Sequence, residues 1–169
     1  MYIPPNPTGS SMDLRLRPMT AADKPSVMAL LEATPEFEAE EIPVAEEVID
    51  FYLDCPGRDY RINVAESSSG IIGYVCFGQT PLTLSTWDIY WMAVALECRG
   101  MGAGGMLLRD TEEQIQKTGG KLALIETSSK PNYLNTRRFY IKKGYKRVSR
   151  IRDFYAPGDH RLIFEKRFP

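Results

Sequence analysis

The sequence predicts a mixed α/β fold: an antiparallel meander that runs into one parallel βαβ pair, with helices on both faces of the sheet. Three observations predict it. Alternating apolar stretches with a tight turn between them occupy residues 59–80, and a long aromatic stretch follows, as antiparallel neighbours do. That aromatic stretch, a glycine-rich turn, a helical stretch and a mostly apolar run then come in the order of a βαβ unit. Two more strand-like stretches around "APGD" close the chain.

In order, "LRLRPMT" (14–20) alternates apolar and charged residues and reads as a first strand. "AADKPSVMALLEAT" follows as a helix, with Thr20 as its N-cap and Pro25 in its early turns. In "PVAEEVIDFYLDC" (43–55), Val44, Val48, Ile49 and Tyr52 set out one helical face. "DYRINVAES" and "GIIGYVCFGQT" form a hairpin around "SSSG". "TWDIYWMAVAL" (86–96) is a long strand rich in aromatic side chains. A helix runs from the glycines to about Lys117, where Gly119 and Gly120 stop it. "KLALIETS" is a buried strand. "NYLNTRRFYIKKG" is a helix stopped by Gly144, and "YKRVSRIRDFY" and "RLIFEKRF" are the closing strands. No repeat or linker divides residues 13–169, which are expected to form one domain. The Pro- and Ser-rich start, residues 1–12, is expected to be a flexible leader.

The bulk properties exclude several classes. A chain of 169 residues can bury a full core. Its net charge of -1 argues for neither nucleic acid nor membrane as a partner. Three cysteines without a CxxC pair and a single histidine, His160, exclude an ordinary zinc site and point to a cytoplasmic location. Charge is uneven, however. Pro25 to Gly57 holds nine acidic residues and no Lys or Arg, and Arg137 to Arg152 holds eight basic residues and no acid. The plain reading is two solvated faces; the sharper one is an acidic wall near a cationic substrate and a basic rim near an anionic ligand. The basic run also interleaves aromatics, as some RNA-contacting segments do.

Gly100, Gly102, Gly104 and Gly105 fall together just before a helix. Glycine weakens helices and strands alike, so this density calls for close approach of the backbone to a ligand. The free N–H groups and positive dipole of a helix N-terminus make that ligand an anion. Gly100-x-Gly102-x-x-Gly105 also fits a dinucleotide fingerprint, with Glu126 ending the next strand. Against that reading, a meander precedes the unit, and too few βα units follow it to build an open parallel sheet. A phosphate-binding P-loop is excluded because no Gly-Lys-Ser/Thr follows.

Two motifs resemble those of the GCN5-related N-acetyltransferase family. Arg99-Gly100-Met101-Gly102-Ala103-Gly104 is similar to its Gln/Arg-x-x-Gly-x-Gly/Ala hallmark, and Tyr140-Ile141-Lys142-Lys143-Gly144-Tyr145 to its Tyr-x-x-x-Gly-Phe/Tyr hallmark. The element order extends the resemblance over roughly residues 13–168. It implies a GNAT-like acyl-CoA N-acyltransferase fold, whose cofactor cleft opens where the strand before the glycines bulges and splays from its parallel neighbour. It implies acetyl-CoA as cofactor. The backbone of Met92, Ala93 and Val94 would hold pantetheine, and the N–H groups of Arg99, Gly100, Met101, Gly102, Ala103, Gly104 and Gly105 the pyrophosphate. The family often has Asn at the position held here by Tyr133; Asn132 is the nearest substitute beside it, with Asn135 on its other side. Arg99 itself suits either a phosphate contact or a surface ion pair.

The implied reaction moves an acetyl group to a primary amine by direct attack in a ternary complex. An alkylammonium with a pKa of about 10.4 must first lose a proton. The resemblance points to Asp88 or Tyr90 for this step. Period-two alternation puts Asp88, Tyr90 and Met92 on one side of their strand and Trp91 on the other. Asp88 is expected to be the base, to orient a water or to bind the ammonium, and Tyr90 to be core aromatic or substrate wall. Tyr140 would act as general acid toward the leaving thiolate, and a strand N–H, of Met92 or Val94, would meet the oxyanion. Cys98 has no histidine near it in sequence to support a covalent route, and His160 reads as a solvated hairpin residue. On the acceptor side the fold points to 34–47, with Phe37 and Glu41, and to 152–160, with Phe154 and Tyr155. That acidic, aromatic mouth suits a cationic small-molecule or peptide amine. A homodimer is compatible with these readings. The alternative is a non-catalytic CoA-binding sensor.

Overall fold

The computed structural model describes residues 13–169; the leader expected over 1–12 lies outside the described residues. The eleven main elements come in the predicted order. β1 is Arg15–Pro18, α1 Lys24–Glu32, α2 Glu41–Asp54, β2 Arg61–Ser67, β3 Gly70–Gln79 and β4 Thr86–Val94. They are followed by α3 Ala103–Lys117, β5 Leu122–Ser128, α4 Leu134–Lys142, β6 Lys146–Ala156 and β7 Asp159–Arg167. Among the described residues one seven-stranded sheet runs β1-β2-β3-β4-β5-β7-β6, and within it only β4 and β5 pair in parallel.

Helices cover both faces, so the buried strands are apolar on two sides. On one face α3 and α4 bury Phe77, Trp87, Ile89, Leu107, Ile115, Ile125, Tyr140 and Phe164. On the other, α1 and α2 bury Val27, Leu31, Ile49, Tyr52, Ile62, Val64 and Ala93. The buried stripe of α2 is Ala45, Ile49 and Tyr52; Val44, expected on it, is 49% exposed.

The entry to α1 is fixed by charge. The Asp23 carboxylate accepts from the Thr20 N–H and hydroxyl, both at 2.8 Å, and forks onto Arg17 at 2.7 and 2.8 Å. Arg17 then reaches Glu66 on β2 at 2.9 Å, tying β1, β2 and the helix start together. Arg17 holds the Asp23 carboxyl well below its ordinary range against the opposing effect of burial. Asp23→Ala is expected to cost about 2 kcal/mol in urea unfolding at pH 7, because it leaves Arg17 with Glu66 as its one carboxylate and opens the cap. A depressed native pKa stabilises above the unfolded value, and that stability is lost as pH falls through the native one. The gap between wild type and variant should therefore close in acid; a gap constant down to pH 2 would place the cost elsewhere.

The feature that positions the site is a β-bulge. In the β3–β4 ladder Cys76 faces Trp91 and Phe77 faces Ile89, which leaves Tyr90 without a partner. The extra residue reverses the alternation beyond it. Met92 and Val94 pack toward α3 with Trp87 and Ile89, while Trp91 and Ala93 pack toward α1 and α2. The expectation that Met92 shares a side with Asp88, and that Trp91 lies opposite, fails for this reason. The bulge also ends the parallel pairing. β4 and β5 are paired from Thr86↔Leu122 to Ile89↔Ile125, and beyond that point they diverge.

Candidate functional site

Where β4 and β5 part, a cleft of about 480 Å³ opens through the sheet. From β4 it is lined by Tyr90, Trp91, Met92, Ala93 and Val94. The stretch Tyr90–Val94 has β3 on one side and no strand on the other, so its outward backbone groups face the gap. Glu126 and Thr127 of β5 line the opposing wall.

The glycine loop closes one end. Gly100 and Gly102 hold φ of 79° and 96°, left-handed values that favour glycine. These two turns lead the chain from β4 into α3, with Gly102 as its N-cap. Met106 N–H returns to the Gly102 carbonyl at 3.0 Å, while the N–H groups of Ala103, Gly104 and Gly105 precede the first intrahelical donor. Gly100, Gly102, Gly104 and Gly105 line the cleft. Met101 is 56% exposed and Ala103 packs in the core, so these two can contribute only backbone. The rim beside the loop carries Lys142 and Lys143.

Tyr140 reaches the cleft from α4. It is 5% exposed and packs edge-on to Phe139 and Tyr145. Burial raises its phenol above the ordinary tyrosine range, so the hydroxyl keeps its proton through neutral pH. Cys98 also lines this wall.

Arg99 is an ion-pair partner here. Its guanidinium forks onto the Glu36 carboxylate at 2.7 and 2.9 Å, and its Nε donates to the Val94 carbonyl at 3.2 Å. Burial would raise the Glu36 pKa, but Arg99 outweighs it and holds the group below its usual range. Thr34, Glu36 and Phe37, from the loop before α2, join Tyr90, Trp91 and Tyr133 around the cleft. Burial pushes the Tyr90 phenol up to about 12, with Asp88 adding to it.

Other expected residues lie apart from this cleft. Asp88 precedes the bulge, does not line the cleft and accepts from the Thr80 hydroxyl at 2.6 Å. Asn132 is exposed in a short 3₁₀ turn, whereas Tyr133 and Asn135 line the wall. The shift follows from the turn over Pro131–Tyr133, which points successive residues in different directions. Glu41 opens α2 and accepts from the Glu38 N–H at 2.8 Å. Phe154 and Tyr155 are about half exposed on β6, outside the lining, and the Arg161 guanidinium lies 4.8 Å from the Phe154 ring. His160 is half-buried, not solvated: its Nδ1 accepts from the Asp153 N–H at 2.9 Å.

Sequence reasoning missed Glu36, Thr127 and Tyr133 as lining residues. It weighed Glu126 only as a ribose-binding acid. Glu126 is ion-paired with Arg161 and lies on the α1–α2 face, opposite to the buried Ile125. The cleft thus joins two faces: glycines and Tyr140 on one, carboxylates and aromatics on the other.

Known proteins share this fold. The profile of the acetyltransferase (GNAT) domain matches residues 58–147. A crystal structure assigned to the GNAT acetyltransferases, from Desulfovibrio desulfuricans, superposes with a TM-score of 0.87 at 33% identity, covering 91% of this chain and 98% of that one. An uncharacterized N-acetyltransferase of Methanocaldococcus jannaschii is 26% identical over 122 residues, 72% of this chain and 74% of its own. A GNAT acetyltransferase from Elizabethkingia anophelis, solved with acetyl-CoA bound, shares the fold at 21% identity and a TM-score of 0.69, over 92% of this chain and 99% of its own. Among the described residues no helix is long and apolar enough to cross a membrane. The splayed strands, the glycine-turned helix start and these likenesses agree: the chain belongs to the GNAT acetyltransferase family.

Proposed function

We propose that the protein acetylates a primary amine by direct attack within a ternary complex, with Tyr140 as general acid. The observation that carries this reading is a buried, protonated phenol on the wall of a cleft that ends in free helix N–H groups. The backbone groups of the Met92–Val94 stretch that face away from β3, those of Met92 and the N–H of Val94, would hold pantetheine with Ala93 between them, and the N–H groups from Gly100 to Gly105 the pyrophosphate. Lys142 and Lys143 supply positive charge at the rim for phosphate. The co-substrate supplies an acyl carbon activated as a thioester.

The chain's residues do the rest. The N–H groups of the splayed β4 stretch offer donors where charge gathers on oxygen. Tyr140 holds its proton until the departing sulfur, a thiol with a pKa of about 8.5, can take it. Proton removal from the amine passes to a carboxylate that faces the cleft. Glu36 is buried and forked onto Arg99 by both its oxygens, whereas Glu126 is more exposed and held by one ion pair to Arg161, so Glu126 takes this role, directly or through a water, as Arg161 yields it. Phe37, Tyr90, Trp91 and Tyr133 offer aromatic faces to a cationic acceptor.

Calorimetry with acetyl-CoA, CoA and NADH tests the reading, followed by thiol release over a panel of amines. Micromolar binding of acetyl-CoA with none of NADH, and amine-dependent thiol release, are expected. Binding without turnover on any amine would favour the CoA sensor instead. Within the enzyme, Glu126→Gln is expected to lower kcat about tenfold or more, and Asp88→Asn to leave it within about threefold. The reverse order would return the base to Asp88.

A further inference from the structure

Glu36 is tied to both walls of the splay. Its carboxylate forks onto Arg99, whose Nε holds the last carbonyl of β4, and its own carbonyl accepts the hydroxyl of Tyr133, just before α4. It is 9% exposed. A carboxylate buried that far needs a partner, and Arg99 is its only ionic one among the described residues. Arg99 in turn stands immediately before the glycine loop, and both it and Glu36 line the same cleft. A planar guanidinium fork holds one oxyanion in bidentate fashion, so an arriving phosphate and Glu36 compete for it.

We propose that the Glu36–Arg99 pair couples the two halves of the cleft. Phosphate bound at the glycine loop draws on Arg99, and the Glu36 carboxylate it gives up takes the positive charge of the acceptor amine. This rests on the acetyltransferase reading above. It also narrows the acceptor to amines that arrive as cations, because the released carboxylate is buried beside Phe37 and needs a new counter-charge. Loading is then cooperative: CoA tightens the amine and the amine tightens CoA by the same factor.

The charge bookkeeping makes the two single variants opposite in sign. Glu36→Gln keeps the shape, removes the competitor for Arg99 and removes the amine's counter-charge. Its acetyl-CoA Kd by calorimetry is expected to stay equal or become tighter, while the KM of the best amine rises about tenfold or more. Arg99→Gln is expected to weaken acetyl-CoA several-fold, and CoA should no longer tighten the amine in it. Glu36→Asp keeps the charge and should recover part of the amine KM. Two results would overturn the coupling: an unchanged amine KM in Glu36→Gln, or a loss of acetyl-CoA affinity in it as large as the loss for the amine, since a pair that merely braces the loop would weaken both. A wild-type protein that binds no acetyl-CoA would overturn the acetyltransferase reading itself, a result that the variants do not share.

Discussion

Tyr140→Phe is expected to lower kcat at least about tenfold, roughly 1.4 kcal/mol of barrier, with acetyl-CoA affinity unchanged within about twofold. The substitution removes one oxygen from a ring that stays packed against Phe139 and Tyr145. Among the described residues its hydroxyl makes no hydrogen bond to protein, and the ring lines the cleft, so no internal hydrogen bond is lost and the melting temperature should move little. The pH profile separates a proton donor from a packing residue. Burial raises the Tyr140 phenol, so the acid form persists beyond pH 10. In wild type kcat/KM should climb with pH as the amine loses its proton, with no fall assignable to Tyr140 below pH 10. The variant should keep that rising limb at lower height. Equal turnover in variant and wild type would remove Tyr140 from proton transfer.

The element order could be read because each element carries its own local signal. Apolar spacing marks α2, the glycines at either end mark α3, the turns after Ser67 and Ala156 mark hairpins, and Gly144 stops α4. The glycine loop and Tyr140 were legible for the same reason, being contiguous motifs. The bulge was not. Nothing in "DIYWM" says which residue loses its partner; the register of β3 decides it, through Cys76 and Phe77. That single residue moves Met92 to the other face and leaves Asp88 bound to Thr80. The Glu36–Arg99 pair was illegible for a related reason: 63 positions separate the partners, and only the closed fold joins them. Glu126 stood in plain view in β5, two residues before its end. Its meaning changed once β5 was seen to leave β4 at Ile125, which turns the next carboxylate into a wall of the cleft.

Gly104→Leu is expected to weaken acetyl-CoA binding about 100-fold or more, near 2.7 kcal/mol, in a protein that still folds. Gly104 is the second residue of α3, in ordinary helical conformation, and a Cβ there would lie 3.5 Å from Val94 and 3.6 Å from the Phe139 ring. Those are normal contacts, so a methyl fits and the fold has no objection to it. Gly104→Ala should leave stability equal or slightly higher, since alanine favours the helix. Anything longer must extend from that methyl into the cradle that Gly104 lines. The pair of variants thus divides two explanations of the glycines. A cradle for phosphate predicts that alanine is tolerated by the fold and leucine blocks the ligand. Close helix–strand packing alone predicts that both destabilise and that binding falls only as the fold does. Measuring the melting temperature and the acetyl-CoA Kd on the same two proteins separates them. If Gly104→Leu bound acetyl-CoA as tightly as wild type, the pyrophosphate would have to sit elsewhere, and Gly100 and Gly102 would then serve only to turn the chain from β4 into α3.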